Sequence, residues 1–380
     1  MPDKTTTSLR LAVIGPSRFG IGEPFAGGLE AHTANLIREL HERGHDLRVF
    51  AGPDGDAHQL PVDVTPVVSR AFDHEFTGRR DTSHPRGFCR HESDQYRRIL
   101  DRLVRRPGVD LVHNNSLHPT VVDADPGDGS FVHVLHCPPF PKLAAAHRRL
   151  LGRGEQRRVV AVSHALAAMW GGTATDVIHN GVDTSTWCPG AGGNRSGVVW
   201  AGRFVAEKAP HLAIRAARLA GLPITLAGPI GDEPYFERYV RKELRRGDVR
   251  WLGPLPAARL ADLFRTAAVG VVSPVWDEPF CLVAAEMLAC GLPVATFARG
   301  GIPEFVRPHV GALAAPGDVG SLAEAILRAD SLSSASCADF ARHELSQSSM
   351  ADRYEAVYRD IIGRRGGVGG VDDRSVRATA

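Results

Sequence analysis

Lysine is almost missing from this chain: Lys4, Lys142, Lys208 and Lys242 are the only ones, and arginine carries nearly all the remaining positive charge. A lysine inside a motif therefore stands out. Net charge is equally scarce, because 45 Lys and Arg face 43 Asp and Glu for a formal +2, which leaves no broad cationic face for nucleic acid. The six cysteines, Cys89, Cys137, Cys188, Cys281, Cys290 and Cys337, show no C-x-x-C spacing, so neither a zinc site nor a disulfide framework is expected and a reducing cytoplasm fits best. The apolar stretch Leu11 to Gly15 is too short for a signal-peptide core or a membrane span, so a cytoplasmic chain is expected, with membrane contact left open.

What is present is a repeated α/β pattern in a chain of 380 residues, longer than the usual domain of ~100–200 residues. Leu9 to Gly15 reads as a strand, a glycine-rich loop follows, Leu29 to Arg43 reads as a helix, and Asp46 to Ala51 as the next strand. That is a βαβ unit of a parallel sheet. Leu111 to His113, Phe131 to His136 and Val159 to Val162 continue the strands. The opening recurs at Gly197 to Ala201, with a loop from Gly202 and helical periodicity over Ala209 to Ala220. Further strands are predicted at Ile224 to Ala227, Val249 to Leu252, Val269 to Ser273 and Pro293 to Phe297. The expected division is 1–185 and 186–346 for two doubly wound, Rossmann-like domains, 347–363 for a C-terminal helix packing back on the first, and a disordered tail over 364–380. No G-x-G-x-x-G follows either opening strand, which disfavours a dehydrogenase.

Two segments concentrate the chemistry. In Glu278-Pro279-Phe280-Cys281-Leu282-Val283-Ala284-Ala285-Glu286 two carboxylates flank a helix start near Phe280, and free amides at such a terminus hold an anion such as a diphosphate. At ~1.5 Å per residue Glu286 lies roughly 10 Å further on, so the pair can grip hydroxyls at opposite ends of one molecule. In Gly202-Arg203-Phe204-Val205-Ala206-Glu207-Lys208 both cations follow a strand end, where open parallel sheets bind ligands.

With these residues in hand the segment from Val198 to about Asp318 resembles the donor domain of GT-B retaining glycosyltransferases of family four. The match runs in order through Gly202, Arg203 and Lys208, Leu252-Gly253, the two glutamates, Gly291-Leu292-Pro293-Val294 and Gly300-Gly301-Ile302-Pro303-Glu304. The resemblance implies that Arg203 and Lys208 bind the diphosphate of a nucleotide-sugar donor, Glu278 the sugar and Glu286 the ribose. It also places backbone around Phe280, Cys281 and Leu282 against phosphate or sugar, and Gly202 and Leu252 at the donor. Cys281 departs from the family, which usually carries glycine there. In the first half Gly27 and Gly28 match the glycine pair that approaches donor phosphate and acceptor, and His136 matches a histidine near the reacting centre. Asn115 and His118 are acceptor-side candidates.

The expected activity is transfer of a sugar, with retained configuration, from a UDP-, GDP-, ADP- or TDP-sugar to a hydroxyl of an unidentified acceptor, without metal or other cofactor. Retention rests on the resemblance. A nucleotide-sugar epimerase or hydrolase on the same fold, or an inactive nucleotide-sugar binder, stay open as alternatives. Asp54-Gly55-Asp56 and Asp123-Ala124-Asp125 mimic a metal-binding Asp-x-Asp but read as solvated turns. Arg148, Arg149, Arg153, Arg157 and Arg158 read as a solvated helix face.

Overall fold

The first strand, β1 (Arg10–Ile14), buries Leu11, Ala12, Val13 and Ile14 completely, as a strand covered by helices on both faces must. The computed structural model describes residues 8–52, 60–67, 87–105, 108–154 and 156–368. After β1 come α1 (Gly28–Glu42), β2 (Asp46–Ala51), β3 (Val64–Pro66), α2 (Phe88–Arg105), β4 (Leu111–Asn114) and α3 (Pro119–Asp123). Then β5 (Phe131–Leu135), α4 (Pro141–Leu151), β6 (Arg158–Ala161), α5 (His164–Met169) and β7 (Asp176–Val177) complete a parallel sheet in the order β3-β2-β1-β4-β5-β6-β7.

The second unit repeats the plan with β8 (Val198–Ala201), α6 (Pro210–Leu219), β9 (Ile224–Ala227), α7 (Glu233–Tyr239), β10 (Val249–Trp251) and α8 (Ala257–Thr266). It continues through β11 (Val269–Val272), α9 (Leu282–Ala289), β12 (Val294–Phe297), β13 (Gly311–Ala314), α10 (Val319–Asp330) and α11 (Ser334–Glu344). Its strands are again all parallel, in the order β10-β9-β8-β11-β12-β13. Strand order therefore reverses beside β1, toward β4, and beside β8, toward β11. Such switch points open crevices at the carboxyl ends of the strands.

Three strands escape the sequence reading. β3 and β7 are three and two residues long, and β13 is Gly-Ala-Leu-Ala, without a β-branched side chain to mark it. The last helix, α12 (Gln347–Val368), also runs past the expected stop at Gly363. Arg364 holds Asp360 one turn back at 2.9 Å and Arg365 donates to the Asp110 carbonyl at 3.2 Å, so the terminal turn is anchored on the first domain. Along its length α12 ties itself to that domain through Arg43 with Glu355 at 3.1 Å, His45 with Glu355 at 2.7 Å and Tyr358 with His113 at 2.7 Å. The chain crosses between the units twice, at 178–183 and 345–347, where Val182 accepts from the Gln347 amide and donates to the Leu345 carbonyl.

Candidate active site

A cleft of about 780 Å³ lies between the two switch points. Its first-domain wall includes Gly27, Gly28 and His136. The loop after β8 contributes Gly202, Arg203 and Lys208, and the segment after β11 contributes Glu278, Phe280, Cys281, Leu282 and Glu286. Residues up to about 260 positions apart in the chain thus meet in one cavity, as carboxyl-end loops of neighbouring strands do.

Helix α9 begins at Leu282, two residues later than the sequence reading placed it. Cys281 is its N-cap in a left-handed conformation, φ +89°, and Phe280 lies before the helix, buried and stacked on Phe305 with ring centroids 4.7 Å apart. The open first-turn amides of α9 adjoin the cleft. Facing them, α1 starts at Gly28, and its N-cap Gly27 is extended. Two helix N-termini, one from each domain, therefore share this cavity, and both favour negative charge.

The charged groups follow suit. Glu278 is 3% exposed, and its Oε1 accepts from Lys208 Nζ at 2.5 Å and from the Trp276 indole N–H at 2.9 Å. Glu286, half-buried at the cleft wall, makes no hydrogen bond among the described residues, and burial together with the charge of Glu23 pushes its carboxyl up to about 8. Glu30 is buried at the third position of α1, where it reaches back toward the Gly27 amide. Burial raises its pKa, while the amides and then Arg203 and Arg18 oppose the rise. The loop after β8 can approach this closely because Gly202 (φ +154°) and Gly228 touch backbone to backbone: a Cβ on Gly228 would lie 1.9 Å from the Gly202 carbonyl oxygen.

His136 is held from behind. Asn115 Nδ2 donates to Thr33 Oγ1 at 3.2 Å, which leaves Asn115 Oδ1 to accept from His136 Nε2 at 3.1 Å. That bond puts the proton of His136 on Nε2 and the lone pair on Nδ1. Burial, with a smaller contribution from His113, depresses its pKa to about 3, so the ring is neutral across the physiological range. It is an acceptor, not a cation.

Three expected contacts fall elsewhere. Leu252 stands off the cleft because its amide extends the β9 ladder to Leu226 at 3.0 Å, and Pro254 and Leu255 form the wall in its place. Asn115 is fully buried behind His136, not on the acceptor surface. His118 caps α3 by accepting from the Thr120 amide at 3.2 Å and lies 3.4 Å from Glu92. Asp123 is committed to Arg149 at 2.7 Å and Asp125 to His133 at 3.0 Å, while Asp54 and Asp56 lie outside the described residues. The arginine run is mostly structural: Arg153 donates to the Asp123 and Asp125 carbonyls and Arg158 pairs with Asp360.

Trp276 is a site residue that the sequence analysis does not name, and its place two residues before Glu278 is the signal that finds it. Glu304 ends the Gly300-Gly301-Ile302-Pro303 run and crosses between domains, accepting from the amides of His164 at 2.9 Å and Ala165 at 2.8 Å and from His179 Nε2 at 2.8 Å. It thereby caps α5 of the first domain from the second.

Two doubly wound domains facing across such a cleft form the GT-B architecture. The chain belongs to glycosyltransferase family 4. The model described as Glycosyltransferase Family 4 matches residues 26–186, and the one described as Glycosyl transferases group 1 matches 190–343. A D-inositol 3-phosphate glycosyltransferase of Mycobacterium avium is 34% identical over 83% of this chain and 84% of its own length. A glycogen synthase of Mycobacterium tuberculosis is 30% identical over 79% and 81%. Among solved structures, Anabaena HepE in complex with UDP and glucose superposes with a TM-score of 0.68 at 18% identity, covering 93% of this chain and all of HepE. Among the described residues no helix is long and apolar enough to cross a membrane.

Proposed function

We propose that this glycosyltransferase moves a sugar from a nucleotide diphosphate-sugar to an acceptor hydroxyl with retention of configuration and without a metal ion. The observation that carries the reading is the convergence of Arg203, Lys208 and the α9 amides on one cavity opposite the α1 N-terminus. Together they supply the positive potential that a departing diphosphate needs. HepE, which shares the fold, was crystallised with UDP and glucose.

In the proposed reaction Glu286 takes the ribose hydroxyls and Glu278 the sugar hydroxyls. As the bond between the anomeric carbon and the phosphate oxygen lengthens, Arg203, Lys208 and the α9 amides stabilise the charge gathering on that oxygen. The acceptor hydroxyl enters on the same face, donates a lone pair to the anomeric carbon and passes its proton to the leaving phosphate oxygen. Configuration is kept, and no protein base is required. Neutral His136 accepts a hydrogen bond at Nδ1 and orients a hydroxyl near the reacting centre. Closure of the two domains excludes water and limits donor hydrolysis.

A thermal-shift panel of UDP-, GDP-, ADP- and TDP-sugars tests the donor site, because a ligand that binds only the folded chain raises its apparent stability. One nucleotide class stabilises the parent, with EDTA present or absent, and Glu286→Ala and Lys208→Ala each abolish the shift. Variants that respond like the parent place the donor elsewhere.

A further inference from the structure

Glu278 and Lys208 do not form a simple pair. Oε1 of Glu278 takes the ammonium at 2.5 Å and also the indole N–H of Trp276 at 2.9 Å, while Oε2 has no hydrogen-bond partner among the described residues. The same indole carries Lys208 on its face, with Nζ 5.6 Å from the ring centroid. The loop that holds them is pinned: the Ser273 hydroxyl shares its one proton between the carbonyls of Lys208 and Ala209, 3.0 Å from each, and the Val275 amide donates to the Glu207 carbonyl at 2.9 Å. Trp276, Lys208 and Glu278 are therefore one unit.

We propose that Trp276 is a positioning residue for sugar recognition: with Lys208 it occupies Oε1 of Glu278 and so reserves Oε2 for a hydroxyl of the transferred sugar. The proposal rests on the donor reading above. A carboxylate this buried needs a donor at all times. When the diphosphate arrives it competes for the Lys208 ammonium, and a Glu278 held by Lys208 alone then loses its restraint and follows the cation toward phosphate. The indole N–H cannot follow, because its ring is fixed two residues away on the same pinned loop. Glu278 consequently keeps its orientation while Lys208 changes partners. The division of labour is specific: the ring face supports the phosphate-binding cation, and the ring N–H supports the sugar-binding carboxylate.

The experiment compares each of UDP, GDP, ADP and TDP with UDP-glucose, GDP-mannose, ADP-glucose and TDP-glucose by titration calorimetry on the parent, Trp276→Phe and Trp276→Leu, and measures kcat for hydrolysis of the donor that binds. Phenylalanine keeps a ring face and loses the N–H. For Trp276→Phe we expect nucleoside diphosphate affinity within about twofold of the parent, since the cation keeps its aromatic support. Nucleotide-sugar affinity and kcat each fall roughly tenfold, the effect of removing a hydrogen bond to a charged group. Trp276→Leu loses the ring as well and weakens both ligands. The ratio of the two affinities is unaffected by any inactive fraction of a variant. An unchanged ratio in Trp276→Phe, or an equal fall for both ligands, overturns the proposal. Failure of the parent to bind any nucleotide defeats the donor reading itself, and is seen before any variant is made.

Discussion

Gly28 and Leu282, the first residues of two helices from different domains, meet across the cleft so closely that a Cβ on Gly28 would lie 3.3 Å from Leu282 Cδ1. A side chain at position 28 would make Leu282 give way by a few tenths of an ångström at this seam.

Gly28→Val tests that approach. The site is the first turn of α1, where a side chain is compatible with the backbone, so the melting temperature stays close to the parent's. The added methyls push the domains apart at the reacting centre, and a displacement of about 1 Å costs on the order of 100-fold in rate. Steady-state kcat/KM beside a melting curve separates the two effects, and full activity in this variant excludes a contact that matters to catalysis.

With Glu286 proposed as the ribose acceptor, donor binding is expected to depend on pH. With its carboxyl raised to about 8 by burial and Glu23, the empty protein holds it protonated at neutral pH, yet two ribose hydroxyls are best accepted by the carboxylate. Nucleotide-sugar affinity therefore rises with pH, approaching about tenfold per unit below 8 and levelling above it. The stability of the empty protein runs the other way. A carboxyl whose folded pKa exceeds its unfolded value contributes fully below the unfolded pKa, near 4.5, and loses that contribution as pH rises through about 8. Glu286→Gln flattens both profiles; calorimetry and melts from pH 5 to 9 show whether it does.

Cys281 occupies a left-handed conformation that costs an ordinary L-residue ~1–2 kcal/mol. Glycine relieves this but raises the entropy lost on folding by roughly 0.5–1 kcal/mol. Cys281→Gly is therefore expected to leave stability level or raise it by up to about 1.5 kcal/mol, read from the urea midpoint. A clear loss of stability means that the thiol's packing outweighs the strain.

Glu304 holds the domains in register. Burial alone raises its carboxyl, but bonds from His179 and from the amides of Ala165 and His164 outweigh that, and its net pKa is lowered. Its contribution is present above the unfolded pKa of about 4.5 and is lost as pH falls through the folded value. Glu304→Ala removes an interdomain helix cap and a charged hydrogen bond, at a cost of roughly 2 kcal/mol. Faster limited proteolysis at the crossings near 180 and 346 accompanies the loss, and a parent-like digestion pattern rules out the clasp.

Much of the site was legible because it was local. The glycines before α1, the Gly202-Arg203 turn and the two glutamates each lie in a short stretch next to a strand end or helix start, and the fold brings those stretches to one cleft. Leu252, Asn115 and His118 were misplaced for the complementary reason. Each does follow a strand, but whether a residue one step past a strand faces the cleft, continues the ladder or caps the next helix depends on neighbours that are distant in the chain.

By themselves, the alternation of apolar strands with amphipathic helices and the repeat of that alternation after Gly197 determined two doubly wound domains, because strand and helix periodicity are properties of neighbouring residues. Tertiary structure alone decided that Trp276 and Lys208 share one oxygen of Glu278, that His136 is neutral, and that Glu304 caps a helix of the opposite domain. Those outcomes depend on burial and on which loops the two switch points bring together, and both arise only when the sheets are stacked and closed against each other.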